Sequence, residues 1–292
     1  MRKHLPKIIM FIYILYIFYL SVFTKNELFK VIYNTLDLWL YKIFPPIFIF
    51  YVISSLLIST KLIDLIIYIL KPLRKIFKFE TDNAFKLFFI SILIGNPSSS
   101  SFIVSYYDNN LITKKDANTL ICCASFISPL FIFSLVTFKQ AIFIYISHLL
   151  SNFIISIILN RKNNIRTQKQ KSNTLSFFVF LDKLPQILLM IAVYMVICNI
   201  IIFSIKNINQ EKFTLLLSFI ELSTGALNIL AMDLNYKYYI LLALISFNGL
   251  CIHLQIYSFI KNKLKYLLYL KYRIIQVLIS LAILFLINTY FA

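Results

Sequence analysis

The chain has 292 residues, of which 60% are hydrophobic and only 14% are charged, and its mean hydropathy is +0.84. Soluble domains average about 25% charged residues, so this composition excludes a soluble enzyme, a secreted disulfide scaffold and a disordered chain, and the continuous apolar runs disfavour a β-barrel. The net charge of +18 comes from lysines and arginines between apolar runs, where they orient a membrane protein and contact anionic lipids, so we predict no nucleic-acid partner.

Apolar runs divide the chain into predicted membrane segments. Residues 8–23 follow basic residues as in a signal peptide, but no small-residue cleavage site comes after them, so we predict a first span. Residues 61–79 are amphipathic, basic and interrupted by Pro72, which is typical of a helix at the membrane surface. The other apolar runs are 43–60, 84–108, 118–137, 140–160, 185–205, 213–231, 238–260 and 274–291.

One long polar stretch, RKNNIRTQKQKSNT at 161–174, predicts a basic cytoplasmic linker between two halves. The sequence thus predicts a first span, a first repeat, the linker, a second and inverted repeat, and a C-terminal span. Their residues are 1–26, 27–160, 161–174, 175–273 and 274–292.

Four polar clusters interrupt the apolar runs. They are GNPSSSS at 95–101, SFISP at 125–129, ELSTG at 221–225 and SFNGLCIHLQ at 246–255. Within lipid every backbone polar group must be satisfied by protein or by water in a cavity, so the clusters predict broken helices around a polar site. The expected hinge residues are Gly95, Pro97, Pro129, Gly225 and Gly249.

The distribution of lysine and arginine predicts the topology. Most of these residues lie on the cytoplasmic side, together with the N-terminus, if 84–108 and 213–231 are re-entrant hairpins. The expected fold is therefore an all-α polytopic membrane protein, with about seven spanning helices and two re-entrant or broken hairpins in an inverted repeat.

The motifs are similar to those of a known family. The stretch from FPPIFIFYVISSLLI through GNPSSSSFIVSYYDNNLITKKDANTL to SFISPLFIFSLV resembles the YlbJ-type sporulation integral membrane proteins, within the nucleoside-recognition Gate domain group. ELSTG and NGLCIHLQIYS resemble the family's two later motifs. The resemblance implies transport of dipicolinic acid across the outer forespore membrane, from the mother cell towards the forespore. Ser99 and Ser101 stand where the family usually has a glycine and a lysine.

The first cluster predicts a helix N-terminus inside the membrane. Pro97 suits a first helical turn with Asn96 as its cap. Ser98, Ser99 and Ser100 would then present N–H and hydroxyl groups to a carboxylate or phosphate. In the alternative interpretation, the serines only let two helices pack closely.

Two ionisable residues mark the second half. Glu221 lies inside an apolar run, at a cost of about 2.5–3.5 kcal/mol, which indicates proton coupling or pairing with a cation or His253; the alternative is a wet glutamate at a hairpin mouth. His253, near Asn248 and Gln255, is a candidate donor to a substrate carboxylate or a proton relay; the alternative is a hydrogen bond to a neighbour. His148 lies in an uninterrupted run and is assigned a structural role.

The predicted function is transport of a small anionic metabolite, coupled to H⁺ or Na⁺, by a protein of the bacterial cell membrane. We expect no enzymatic activity, no cofactor and no metal, because the four cysteines lack metal-ligand spacing. Alternatives are a transporter of nucleoside-like solutes, a membrane enzyme using Glu221 and His253 as acid and base, and a scaffold in spore-envelope assembly. The candidate substrate-binding residues are Asn96, Ser98, Ser99, Ser100, Ser125, Ser128, Glu221, Ser223, Thr224, Asn248, His253 and Gln255.

Overall fold

A computed structural model describes residues 5–161, 175–208 and 213–291, and these ranges contain helices and turns without a β-strand. Apart from Arg161, the predicted linker lies outside the described residues. The first-half helices are α1 Leu5–Phe23, α2 Lys25–Leu38, α3 Phe44–Ser59, α4 Ile63–Ile69, α5 Arg74–Phe77, α6 Asp82–Ile94, α7 Ser98–Asp108, α8 Lys114–Cys123, α9 Pro129–Leu135 and α10 Phe138–Asn160. The second-half helices are α11 Phe177–Leu181, α12 Leu184–Ile208, α13 Thr214–Ser218, α14 Leu222–Ala231, α15 Lys237–Phe247, α16 Gly249–Ile260 and α17 Tyr266–Phe291.

Five helical stretches within the described ranges are long and apolar enough to cross a membrane, which is compatible with an integral membrane protein. They are Lys25–Ser59, Phe138–Asn160, Phe177–Lys206, Lys237–Ile260 and Tyr266–Tyr290. Two predicted spans are not among them. The run at 8–23 lies in α1, within which Met10–Phe23 is found as a shorter apolar helix, and the run at 118–137 is divided between α8 and α9.

The stretch Lys25–Ser59 is continuous because a π-helical turn, Trp39–Ile43, joins α2 to α3. Pro45 and Pro46 follow this turn. Neither proline has an N–H to donate, and their rings crowd the carbonyl groups four residues earlier, so the helix widens before them. The π turn carries Lys42, which becomes relevant to the site described below.

All four polar clusters interrupt helices, as the sequence predicts. The interruptions lie between α6 and α7, α8 and α9, α13 and α14, and α15 and α16. The segment 61–79, for which the sequence predicts a helix, consists of α4, a 3₁₀ turn at Lys71–Leu73, and α5. In the centre, α10 and α15 both pack against α17, and α8 packs against α10 and α17. Helix α7 also packs against α16, which brings an interrupted segment of each half together.

Asp116 in the first turn of α8 fastens the loop that precedes α6. Its carboxylate accepts hydrogen bonds from the backbone N–H groups of Glu80 (3.0 Å) and Thr81 (2.9 Å) and from the Thr81 hydroxyl (2.7 Å). The Thr81 hydroxyl oxygen also caps α6 by accepting from the Ala84 N–H at 3.2 Å. Burial raises the pKa of Asp116 above its usual range, and these hydrogen bonds oppose that shift.

Gly225 on α14 lies directly against α13. A Cβ atom at this position would overlap the backbone carbonyl group of Ser218, and backbone cannot move aside as a flexible side chain can. We therefore expect Gly225→Ala to lower the free energy of unfolding by about 1–3 kcal/mol. Thermal unfolding of the purified protein in detergent measures this loss.

The matched control for this prediction is Leu227→Ala on the same helix. Leu227 is exposed, so its truncation should change the unfolding midpoint much less than Gly225→Ala does. Equal midpoints for the two variants would contradict the close packing of α13 on α14.

Candidate functional site

In the first half, the two interruptions are bonded to each other through the backbone. The N–H of Asn96, between α6 and α7, donates to the carbonyl of Phe126, between α8 and α9, at 2.8 Å. Gly95 has φ +69°, and a Cβ atom there would lie 3.1 Å from the Ser128 backbone nitrogen. Glycine thus permits both the left-handed conformation and the close approach of the two interruptions.

The second half repeats this pairing. The N–H groups of Leu250 and Cys251, at the start of α16, donate to the carbonyls of Phe219 and Ile220 before α14, at 2.9 and 2.7 Å. Gly249 at the crossing has φ +59°. In each half, therefore, one interruption provides acceptors for unsatisfied N–H groups of the other, as apolar surroundings require.

Side-chain amides join the two halves. Asn248 Nδ2 donates to the Ser125 hydroxyl oxygen at 2.7 Å and to the Tyr269 hydroxyl oxygen at 3.1 Å. Asn96 Nδ2 also donates to Ser125, and Asn96 Oδ1 accepts from the Ser99 hydroxyl at 2.8 Å. Ser125 therefore accepts from both halves, and the predicted residues of three clusters form one network.

A cavity lies beside this network, between the interruptions of the two halves. Its volume is about 70 Å³, which is enough for several water molecules. Most of its walls are apolar, with contributions from α3, α12 and the π turn. Its charged or hydrogen-bonding side chains, other than the Cys251 thiol, are Lys42, Asn96, Ser128, Glu221, Ser223 and Gln255.

Glu221 reaches the cavity from the N-terminus of α14 and is only 2% exposed. Its Oε2 accepts from the backbone N–H of Thr224 at 2.8 Å and from the Thr224 hydroxyl at 3.0 Å. A carboxylate at a helix N-terminus is stabilised by the N–H groups and by the helix dipole. Glu221 thus already occupies the anion-attracting end of α14, while the first turn of α7 carries no acidic residue.

Two lining side chains have polar atoms without a hydrogen-bond partner in the described structure. Gln255 is 1% exposed; its Nε2 donates to the Cys251 sulfur at 3.3 Å, but its Oε1 is unpaired. The Ser128 hydroxyl is also unpaired. Unpaired buried polar atoms cost about 1–3 kcal/mol each, so a hydrogen bond from either atom to a bound polar group would stabilise that group in the cavity.

Several candidate residues lie outside the cavity. Both ring nitrogens of His253 contact protein groups, with Nε2 2.9 Å from the Phe247 carbonyl oxygen and Nδ1 3.1 Å from the Tyr266 hydroxyl oxygen. Six further candidates do not line the cavity. They are Ser98, Ser99 and Ser100 in α7, Ser125, Thr224 and Asn248. Of the expected hinges, Pro97 lines the cavity and Pro129 begins α9.

Arg273 is an unexpected component of the interior. The sequence places it between the apolar runs 238–260 and 274–291, yet it is 0% exposed on α17. Its guanidinium donates to the Cys122 carbonyl and to Gln276, and lies 5.4 Å from the Tyr269 ring. The spacing of Tyr269, Arg273 and Gln276 could have indicated this position from the sequence, because residues four and seven positions apart share one face of a helix.

Comparison of the chain with known families, curated proteins and solved structures finds no match. The resemblance to the YlbJ-type family therefore stays a prediction carried by the motifs. Within the described residues, no group of three or more His, Cys, Asp or Glu side chains could hold a metal ion.

Asn248 provides a test of the link between the halves. It has φ +78°, which glycine also adopts, so Asn248→Gly removes the amide without backbone strain. Loss of the bonds to Ser125 and Tyr269 should lower the free energy of unfolding by about 1–3 kcal/mol, measured as the unfolding midpoint in detergent.

Asn110→Gly is the matched control, because Asn110 is exposed and also has positive φ, at +55°. It should leave the midpoint nearly unchanged. A midpoint that falls equally in both variants would show that the amide of Asn248 does not stabilise the contact between the two halves.

Proposed function

We propose that this protein is a membrane transporter of a small anionic metabolite and that the cavity between the interrupted helices is its binding site. One observation carries the proposal. Interrupted helices from both halves meet at a cavity with unpaired buried polar groups, namely Gln255 Oε1 and the Ser128 hydroxyl. Interrupted helices around a polar site, in a chain of apolar spans, are typical of secondary transporters.

Three features support a carboxylate as the cargo. Lys42 brings a positive charge to the cavity rim, and α7 begins beside the cavity with no acidic residue in its first turn. The Ser128 hydroxyl is a further donor. The cargo implied by the family resemblance is dipicolinic acid, a planar dicarboxylate, moved from mother cell to forespore.

Glu221 supports proton coupling in this proposal. An anionic cargo in the cavity would lie close to the Glu221 carboxylate, and two carboxylates that share a small site cannot both remain ionised. Binding of the anion would therefore bring a proton to Glu221. Release of the cargo on the opposite side would release that proton, which couples the two movements.

The cavity also gives a reason to consider nucleoside-like solutes as the alternative cargo. Gln255 Oε1 and the Glu221 carboxylate are acceptors, and the N–H and hydroxyl groups of a nucleoside are donors. A nucleoside would bind without neutralising Glu221, so its transport would not require a proton. The two cargo classes therefore differ in their response to pH.

Gln255→Leu tests the binding site. The variant removes the unpaired acceptor Oε1 at nearly constant volume, so we expect kcat/KM for uptake of a solute that donates a hydrogen bond to this atom to fall about tenfold, as for the loss of one strong neutral hydrogen bond. Purified protein in liposomes is assayed with dipicolinate and, separately, with a nucleoside. Gln140→Leu is the control, since Gln140 Oε1 is also buried and unpaired but does not line the cavity.

Glu221→Gln tests the coupling. Wild-type uptake of dipicolinate should accelerate in an inward proton gradient, and the variant, which cannot bind the extra proton, should transport without this acceleration. Absence of saturable uptake of both dipicolinate and nucleosides by the wild type would refute the transporter. Normal spore-envelope assembly with alanine at Asn96 and Glu221 would then favour the scaffold.

A further inference from the structure

A second cavity lies beside α7, α12 and α16. Its volume is about 350 Å³, and its polar or charged lining residues include Ser101, Asp108, Lys183, Gln186 and Ser258. Helices α12 and α16 also contribute to the first cavity, as does Pro97, the residue that precedes α7. The two cavities therefore share walls.

The residues of the two cavities are spaced by one helical turn. On each shared element, a residue of the first cavity is four positions from a residue of the second, so the two lie on the same helix face. The cavities are thus displaced along these helices by about 6 Å. The pairs, with the residue of the first cavity first, are Pro97 and Ser101, Ile191 and Ile187, and Gln255 and Phe259.

Side chains of α12 and α16 contact each other at the second cavity, where Met190 and Ser258 are lining residues. The Ser258 hydroxyl lies 2.7 Å from the Gln255 carbonyl oxygen and 3.2 Å from the Met190 sulfur. Methionine has three rotatable side-chain bonds and changes its packing easily. Rotation of Met190 would therefore rearrange this contact without breaking a backbone hydrogen bond.

The second cavity carries excess positive charge. Lys263 Nζ is paired with Asp108 at 2.6 Å, whereas Lys183 Nζ donates to the hydroxyl oxygen of Ser105 at 2.8 Å. A hydroxyl does not compensate the ammonium charge. A concave site with this charge concentrates anions at its mouth.

We propose that the second cavity is a vestibule through which a solute reaches the first cavity, the proposed binding site. The charge of Lys183 admits an anionic solute to this vestibule. Met190 and Ser258 form the wall that opens between the two cavities. This inference rests on the proposed function. It adds the access route and the residue that selects charge. The sequence assigned Lys183 only to the orientation of the chain in the membrane.

Chemical labelling tests the charge of the vestibule independently of transport. Gln186 is exposed and lines the second cavity, and the four native cysteines are buried, so Gln186→Cys introduces one accessible thiol. We expect the anionic sulfonatoethyl methanethiosulfonate to react at least about fivefold faster, relative to a free thiol, than the cationic trimethylammonium analogue. Added salt should reduce this preference.

Lys183→Gln in the same background should abolish the preference, whereas Lys139→Gln, at an exposed lysine outside both cavities, should keep it. Equal relative rates for the two reagents at Gln186→Cys would overturn the inference about charge. That result would leave the transporter standing if saturable uptake is observed. If labelling shows a clear charge preference but no uptake is observed, the proposed function is refuted. The second cavity would then bind anions without transporting them.

Transport tests the wall. Met190→Ala should raise the rate of dipicolinate uptake by the reconstituted protein about threefold or more, because it removes the side chain that separates the cavities. Leu189→Ala, at an exposed neighbouring residue, should leave the rate unchanged. An unchanged rate in Met190→Ala, in protein with wild-type thermal stability, would refute the wall.

Discussion

The structure depends on the need to satisfy backbone polar groups where helices are interrupted in apolar surroundings. Each interruption leaves N–H and carbonyl groups without partners inside its own helix, and a membrane interior offers no water to replace them. The chain meets this need by placing the interruptions against each other, as in the bonds from Asn96 to Phe126 and from Cys251 to Ile220. His148 contributes in the same way, since its Nε2 accepts from the Ile127 N–H at 3.3 Å.

The candidate site follows from this arrangement. Bringing the interruptions together also brings their polar side chains together, and those that the network leaves unpaired face the cavity, as Gln255 and Ser128 do. Gly95 and Gly249 permit the close backbone approach. The same contacts that complete the fold therefore create the place where a polar solute can bind, which links stability and binding in this region.

Charge is distributed unevenly around the proposed path. Glu221 lies at the first cavity with Lys42 at its rim, and Lys183 lies at the second cavity. Arg273 is buried, and its guanidinium lies against the ring of Tyr269. The Tyr269 hydroxyl in turn accepts a hydrogen bond from Asn248. This pattern places cations at both cavities and one titratable carboxylate between the halves, which suits an anion that travels with a proton.

Composition and local pattern were sufficient to predict a helical membrane protein and the positions of its four interruptions, because glycine, proline and serine act on the backbone within a few residues. The same reasoning did not separate Gln255, which lines the cavity, from His253, whose nitrogens contact Phe247 and Tyr266. It also left Arg273 at the surface, since a cation at the start of an apolar run is usually topogenic. These outcomes depend on how each helix is rotated and on which neighbours compete for each hydrogen bond. Both are properties of packing between segments distant in the chain, so local sequence carries little information about them.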